Sequence, residues 1–291
     1  MKDLRQVTII GAGLLGGSIA LAVLRAKPGV KVVGYSHRAS TRRKARDLLV
    51  GIEMLDDIKQ SVASADLVIL ATPIRTFPAV FEQIADALPQ DCIVTDVGST
   101  KVLPHRWAAE KLPSTVHYVG SHPIAGSEQR GVEFARDDLF YQAMCILTIP
   151  DGTGRPVVRR LDDFWTALGC IVKRLTPPEH DEVFANVSHL PHAMAASLIN
   201  ANTSEHLAFS GKGFIDTSRV ASGPANIWAD ILVTNAQNVV EALDRTIAQM
   251  EQLKAALEKE QVEEVTSLLE AAREKRRKLI NLKMRRKELL S

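Results

Sequence analysis

Near the N-terminus, Val7 to Ile10 is a short β-branched run that passes directly into GAGLLGGSIALAVLRA, so a strand gives way to a glycine-rich turn and then to an apolar helix. Few local patterns restrict a fold so tightly. Gly11, Gly13 and Gly16 satisfy G-x-G-x-x-G: the first permits the tight turn, the second lets a pyrophosphate approach the backbone, and the third lets helix and strand pack closely. Leu14 and Leu15 lie inside the same turn, and the positive end of the helix that follows suits phosphate. A glycine turn that holds no ligand is the alternative. Its position between a β-run and an amphipathic helix favours a dinucleotide site.

The alternation continues downstream. Lys31 to Tyr35 reads as a strand, as do Leu67 to Ala71, Cys92 to Asp96 and Val116 to Gly120, with a helix opening at Pro78 and ending near Leu88. Such repetition predicts a parallel sheet with helices on both faces, a doubly wound α/β domain of Rossmann type. Strands at Met144 to Ile149 and Ile171 to Leu175 are expected to extend that sheet. Thr176, Pro177 and Pro178 then end the alternation, and the remaining pattern is helical. The expected division is a dinucleotide-binding domain over 1–176 and an all-α domain over 177–291. After Pro224 no proline or glycine occurs. Leu232, Val239, Leu243, Met250, Leu253 and Leu257 form a stripe at helical period, long enough to bury against a partner and suggest a homodimer.

Ligands on such a sheet bind at the carboxyl ends of the strands. The second strand ends at Ser36, His37 and Arg38, where an acidic residue would grip the ribose 2′-hydroxyl of NAD. A hydroxyl beside cationic side chains, with Arg42 and Arg43 close behind, favours the 2′-phosphate of NADP. NAD is the alternative, as is a merely solvated helix start. Thr72 and Pro73, in ATPI, are small and uncharged, suited to lying beside a nicotinamide or ribose, and DVGSTK presents Ser99 on a glycine turn. Ordinary turn chemistry accounts for both equally well.

GSHPIAGS, from Gly120 to Ser127, mounts His122 between a predicted strand end and a turn of small residues, leaving room for a ligand beside an imidazole. In the helical half His180, His189 and His192 invite a metal reading, but no carboxylate or cysteine completes a set at ligand spacing, and no metal is expected. Arg219, in GKGFIDTSR, is a fixed planar cation suited to a carboxylate. Pairing with Asp216 or Asp230 is its structural alternative.

Composition narrows the partners. Hydrophobic residues make up 46% and charged residues 24%, and the formal net charge is +2 with a pI near 8.4, which does not support nucleic-acid binding over the whole surface. Cys92, Cys145 and Cys170 lie far apart in apolar segments, the pattern of buried thiols in a reducing compartment. No apolar run reaches membrane-spanning length. The expectation is a cytoplasmic protein with small-molecule partners. Residues 273–288 carry nine Lys and Arg against two Glu, which reads first as a solvated helix end.

Taken in order, GAGLLGGS, ATPI, DVGSTK, GSHPIAGSEQRG, SHLPHAMA and GKGFIDTSR followed by GPANIW closely resemble the prephenate and arogenate dehydrogenases of tyrosine biosynthesis, the TyrA family, from about residue 7 to about residue 230. The resemblance implies a Rossmann-like domain joined to a helical dimerisation domain. It also implies hydride transfer from C4 of prephenate with loss of CO2, giving 4-hydroxyphenylpyruvate, or the corresponding reaction on arogenate. On the matching positions His122 is the base, Ser99 orients the hydroxyl, and Arg219 binds a substrate carboxylate. Ser127, Ser188 and His192 line the pocket, Trp228 reaches it from the partner subunit, and Asp216 with Glu128 gates it. A non-catalytic NADP-binding dimer is the reading from another class.

Overall fold

The computed structural model describes residues 4–125 and 129–285; Ser127 and Glu128 lie outside them. Two compact units result, Met1–Ala236 and Gln237–Ser291.

The first unit opens with β1 (Gln6–Ile10), α1 (Leu14–Ala26), β2 (Lys31–Tyr35), α2 (Ala39–Leu48), β3 (Glu53–Met54), α3 (Ile58–Val62), β4 (Leu67–Leu70), α4 (Phe77–Ile84), β5 (Ile93–Asp96), α5 (Val102–Lys111) and β6 (His117–Tyr118). The six strands form a parallel sheet in the order β3-β2-β1-β4-β5-β6. The order reverses between β1 and β4, the point at which doubly wound sheets open a crevice for ligands. β1 and β4 are buried at every position. Helices cover both faces, as their continuous apolar sequence demands. One face packs Ile9, Ile69 and Ile93 with Ile19 and Val23 of α1; the other packs Val68, Leu70 and Val94 with Phe77, Phe81 and Ile84 of α4.

The later strands depart from the sequence expectation. β7 (Gly120–Pro123), β8 (Met144–Thr148) and β9 (Ile171–Leu175), with α6 (Arg155–Ala167) between the last two, form a separate three-stranded sheet rather than an extension of the first. β7 runs antiparallel to β8, and β8 parallel to β9. The expected strand from Val116 to Gly120 is therefore divided, and His122 sits within β7 instead of at a strand end. Side-chain alternation explains what this achieves. Ser121 points one way and is locked there, its Oγ 2.7 Å from Thr95 Oγ1 of β5 and accepting from Trp165 Nε1 of α6 at 3.0 Å. His122 must then point the other way.

Thr176 begins the helical segment through a reciprocal capping box: its hydroxyl accepts from the Glu179 N–H while the Glu179 carboxylate accepts from the Thr176 N–H. α7 (Pro177–Phe184) runs through a π-helical turn, Ala185–His189, into α8 (Leu190–Asn200). The SHLPH stretch thus widens the helix instead of ending it, and Pro191 falls in the first turn of α8, where a missing N–H is tolerated. α9 (Ser204–Leu207), α10 (Lys212–Ser218), a 3-10 turn (Arg219–Ser222) and α11 (Ala225–Thr234) complete the unit. The three cysteines are buried free thiols.

α12 (Ala236–Glu258) leads into the second unit, which α13 (Val262–Arg285) completes. Gln252 of α12 donates to Glu264 of α13. Of the expected apolar stripe Met250 and Leu257 are more than half exposed, whereas Val239 is buried and Leu232, Leu243 and Leu253 are half-buried; on α13 Leu269 and Leu279 are also at least half exposed. None of the described helices is long and apolar enough to cross a membrane.

Ser121→Ala deprives the buried Trp165 Nε1–H of its acceptor. A loss of about 1–3 kcal/mol is expected, seen in thermal denaturation as a fall in Tm of roughly 2–4 °C per kcal/mol.

Candidate active site

The glycine turn meets the steric demands of a dinucleotide. Gly11 has φ +110°, and a Cβ there would lie 2.5 Å from the Ala71 carbonyl oxygen, so the backbone directly after β4 blocks any side chain. A Cβ on Gly16 would stand 1.9 Å from the Gly11 carbonyl oxygen. Gly13 meets nothing within 4 Å. Two glycines are therefore required by packing, and the third keeps an open approach to the start of α1, with Leu14 and Leu15 half-buried beside it. This arrangement fits a pyrophosphate. Thr72 and Pro73 follow β4 on the same sheet edge, and the Thr72 hydroxyl is 2.8 Å from that of Thr76.

At the end of β2 the basic residues divide into two groups. Arg42 donates to the Ser36 and His37 carbonyls at 2.6 and 3.0 Å and to Asp56 at 2.6 Å, and Arg46 donates to the other Asp56 oxygen. Asp56 is held below the usual carboxylate range by these two guanidinium groups, Arg42 first. Arg42 is thus a brace for the turn. Arg38 and Arg43 are exposed.

His122 is 9% exposed, and its Nδ1 lies 2.9 Å from Nε2 of His180 on α7. The far nitrogen of that ring, Nδ1, is 2.8 Å from Asp181 Oδ1. Asp181 in turn accepts the backbone N–H groups of Lys101 and Val102 at 2.7 and 2.8 Å, capping the first turn of α5 from another element. Phe184 packs against both rings. Below them Lys101, fully buried, places its ammonium 2.5 Å from Asp96 Oδ1, while Tyr118 donates to Asp96 Oδ2 at 2.6 Å. Breaking such a pair by removing one partner costs about 3–5 kcal/mol, because it leaves a buried charge uncompensated.

These surroundings keep the imidazoles neutral. Burial, then His180, Lys101 and His189, hold His122 well below the ordinary histidine value. Burial first and Lys101 second push His180 down to about 2, and burial pushes His189 down to about 4. Burial also raises Asp181, against the pull of the two backbone N–H groups.

Ser99, half-buried in the β5–α5 loop, has its backbone against His189, whose Nδ1 is 3.1 Å from Asn235 Nδ2. Asn235 also donates to the Asp181 carbonyl at 2.7 Å. His189 Nε2 and His192 Nδ1 are buried and complete no hydrogen bond among the described residues. His192 stacks on Trp228 with ring centroids 3.7 Å apart and an interplanar angle of 11°. The 3-10 turn that Arg219 opens reaches the same place: Val220 offers its backbone to His192, and Gly223, which caps the turn, lies against Trp228 and His192. Asp216 pairs with Lys212 and Asp230 with Arg75. Ser188 is half-buried in the π-helical turn. His122 and the Ser99 backbone are thus linked through His180, Asp181, Asn235 and His189, and Trp228, whose ring lies near His189, joins His192 and the turn that Arg219 opens to the same group. Ser127 and Glu128, expected to line and gate this place, lie outside the described residues.

Sequence reasoning missed Asp96, Lys101, Asp181 and Asn235. Two of them stand inside DVGSTK, where an acidic residue and a lysine bracketing a glycine turn at the end of a buried strand were the available signal.

The profile described as "Prephenate dehydrogenase, nucleotide-binding domain" matches residues 19–173, and that described as "Prephenate dehydrogenase, dimerization domain" matches residues 176–271. The chain belongs to the prephenate dehydrogenase family. It is 34% identical over 264 residues to a cyclohexadienyl dehydrogenase of Zymomonas mobilis, covering 88% of this chain and 90% of that one. Among solved structures, the prephenate dehydrogenase of Aquifex aeolicus in complex with hydroxyphenyl propionate and NAD+ superposes with a TM-score of 0.88 at 32% identity, covering 95% of this chain and 99% of that one. The arogenate dehydrogenase of Synechocystis superposes with a TM-score of 0.80 at 28% identity, covering 94% and 99%.

The depressed histidines predict how stability responds to acid. His105, His180 and His189, at about 3, 2 and 4, bind protons more weakly folded than unfolded. Their contribution is fully present above the unfolded value near 6.5 and is lost as pH falls below it, by about 1.4 kcal/mol per pH unit for each histidine. Denaturant midpoints should therefore fall steeply from about pH 6.5 to pH 4.5, and His105→Leu should reduce that slope by about one proton.

Proposed function

We propose that the protein oxidises prephenate to 4-hydroxyphenylpyruvate with loss of CO2 and with NADP as the preferred hydride acceptor. The observation that carries this reading is the neutral, buried imidazole of His122 beside the β5 loop of a dinucleotide-type sheet. When bound, the nicotinamide supplies the acceptor for the hydride that leaves C4 of the ring. The chain's own residues do the rest. His122 takes the carbinol proton as the C–O bond becomes C=O, a role that requires an unprotonated ring at working pH. Rupture of the bond to the ring carboxylate releases CO2, and its electron pair completes the aromatic ring. The resulting phenolate oxygen then recovers a proton. Ser99 orients the hydroxyl, Arg219 holds a substrate carboxylate through paired hydrogen bonds, and Ser127, Ser188 and His192 line the pocket, with Trp228 stacked on His192 of its own chain and not reaching in from the partner subunit.

The division proposed for these tasks is a cofactor-binding domain to residue 176 and a helical substrate-binding and dimerisation domain from residue 177. A homodimer is supported by the exposed apolar side chains of α12 and α13. Preference for NADP is supported by Ser36 at a position where a carboxylate would repel the 2′-phosphate, and by the exposed Arg38 and Arg43. Arogenate is the alternative substrate; its side-chain ammonium demands one further partner.

Three measurements test the reading. His122→Asn should keep cofactor binding but lower kcat by about 10²-fold or more; unchanged turnover rejects it. Arg219→Gln should raise the KM for prephenate by about 10²-fold, the scale of a lost charge-assisted pair, with little change in cofactor affinity. Arg38→Ala should lower kcat/KM with NADP by about tenfold and leave the NAD value unaltered; equal losses with both cofactors would place the discriminating contact elsewhere.

A further inference from the structure

The hydrogen-bond chain behind His122 has a direction. Asp181 uses both carboxylate oxygens to accept backbone N–H groups, Oδ1 from Lys101 and Oδ2 from Val102. A carboxylate so engaged is an acceptor, so the third contact, His180 Nδ1 at 2.8 Å, is a donor. A neutral imidazole carries one proton. With that proton on Nδ1, Nε2 of His180 is a lone pair, and it faces His122 Nδ1 at 2.9 Å. Two lone pairs cannot share that distance, so His122 carries its proton on Nδ1. Its Nε2 is then the basic nitrogen, and among the described residues no hydrogen bond occupies it.

We propose that His180 and Asp181 are positioning residues that fix the tautomer of His122, so that Nε2 is always the unprotonated nitrogen presented to the substrate hydroxyl. This rests on the reading of His122 as the base. In the step itself the substrate O–H bond breaks, its proton forms a bond to His122 Nε2, and the electron pair left on oxygen forms the C=O. The imidazolium so produced donates from Nδ1 to His180 Nε2, a contact that strengthens as charge develops. Phe184 packs on both rings and limits their rotation.

The two residues are also structural, since Asp181 ties α7 to the start of α5, and the test separates the roles. The variants are Asp181→Asn, His180→Leu and His180→Gln in the full-length protein, each measured for Tm, NADP affinity, KM and kcat with prephenate. An amide at 181 can donate to His180 Nδ1, which reverses the chain and leaves the proton of His122 on Nε2. Asp181→Asn is therefore expected to lower kcat by about 10²- to 10⁴-fold, the scale of a wrong-tautomer base in hydrolases with an Asp–His pair, while KM and NADP affinity change by less than about threefold. Gln at 180 can accept from His122 and donate to Asp181, so it should retain at least about tenfold more kcat than Leu. In the wild-type NADP complex, histidine-selective ¹H–¹⁵N correlation spectra, assigned with His122→Asn, should show the His122 proton on Nδ1. A proton on Nε2 overturns the proposal, as does a kcat for all three variants within about threefold of wild type. Losses confined to Tm and NADP affinity, with kcat of the folded fraction unchanged, leave only the structural role and also overturn it. Retained turnover in His122→Asn has a different meaning: the base itself is then misassigned, and the tautomer argument falls with it.

Discussion

One buried carboxylate holds the candidate site together. Asp181 belongs to the first helix after the last strand, yet its oxygens accept the otherwise unpaired N–H groups at the start of α5, at the carboxyl edge of the parallel sheet. A helix start leaves its first N–H groups unpaired, and a buried start must find acceptors. Here the acceptor comes from 80 residues further along the chain, so capping a helix and docking two parts of the protein are one event. His180, the preceding residue, is thereby brought against His122.

Around that carboxylate the protein buries charge and keeps imidazoles neutral. The Lys101–Asp96 pair is fully buried, and Tyr118 and the Gly98 N–H also donate to Asp96. Additional hydrogen bonds of this kind make a buried pair tolerable. The ammonium of Lys101 also disfavours protonation of His180, His105 and His122. Burial does most of this work, and the cation adds to it. The π-helical turn follows directly, with His189 at its end reaching Asn235 and the Ser99 backbone. Such turns displace side chains from the regular helical stripe and are frequent at functional sites.

The cofactor edge shows how far a motif can be read. Gly11 and Gly16 sit where a Cβ would collide with backbone, as their spacing implies, and Gly13 faces open space. The basic cluster after β2 is different. Arg38, Arg42 and Arg43 look alike in the chain, but Arg42 is committed to Asp56 and two carbonyls. Proximity in sequence cannot separate a brace from an anion contact, because Asp56 arrives from beyond β3.

Periodicity and punctuation were enough to determine the parallel α/β sheet, the glycine turn, the end of the strand alternation at Thr176 and the helical remainder, because each is set by neighbours a few residues apart. The ordered motifs were enough to indicate the family. Tertiary structure alone decided that the late strands build a second sheet, since β7 pairs antiparallel with β8 and Ser121 is locked to Thr95 and Trp165. It alone decided which side of β7 carries His122, that His180 stands against it, and that Asp181 holds His180 while the Lys101 N–H and Asn235 bind Asp181. Those contacts join residues as much as 80 positions apart, and the hydrogen bonds that select them exist only once helix and sheet have excluded water.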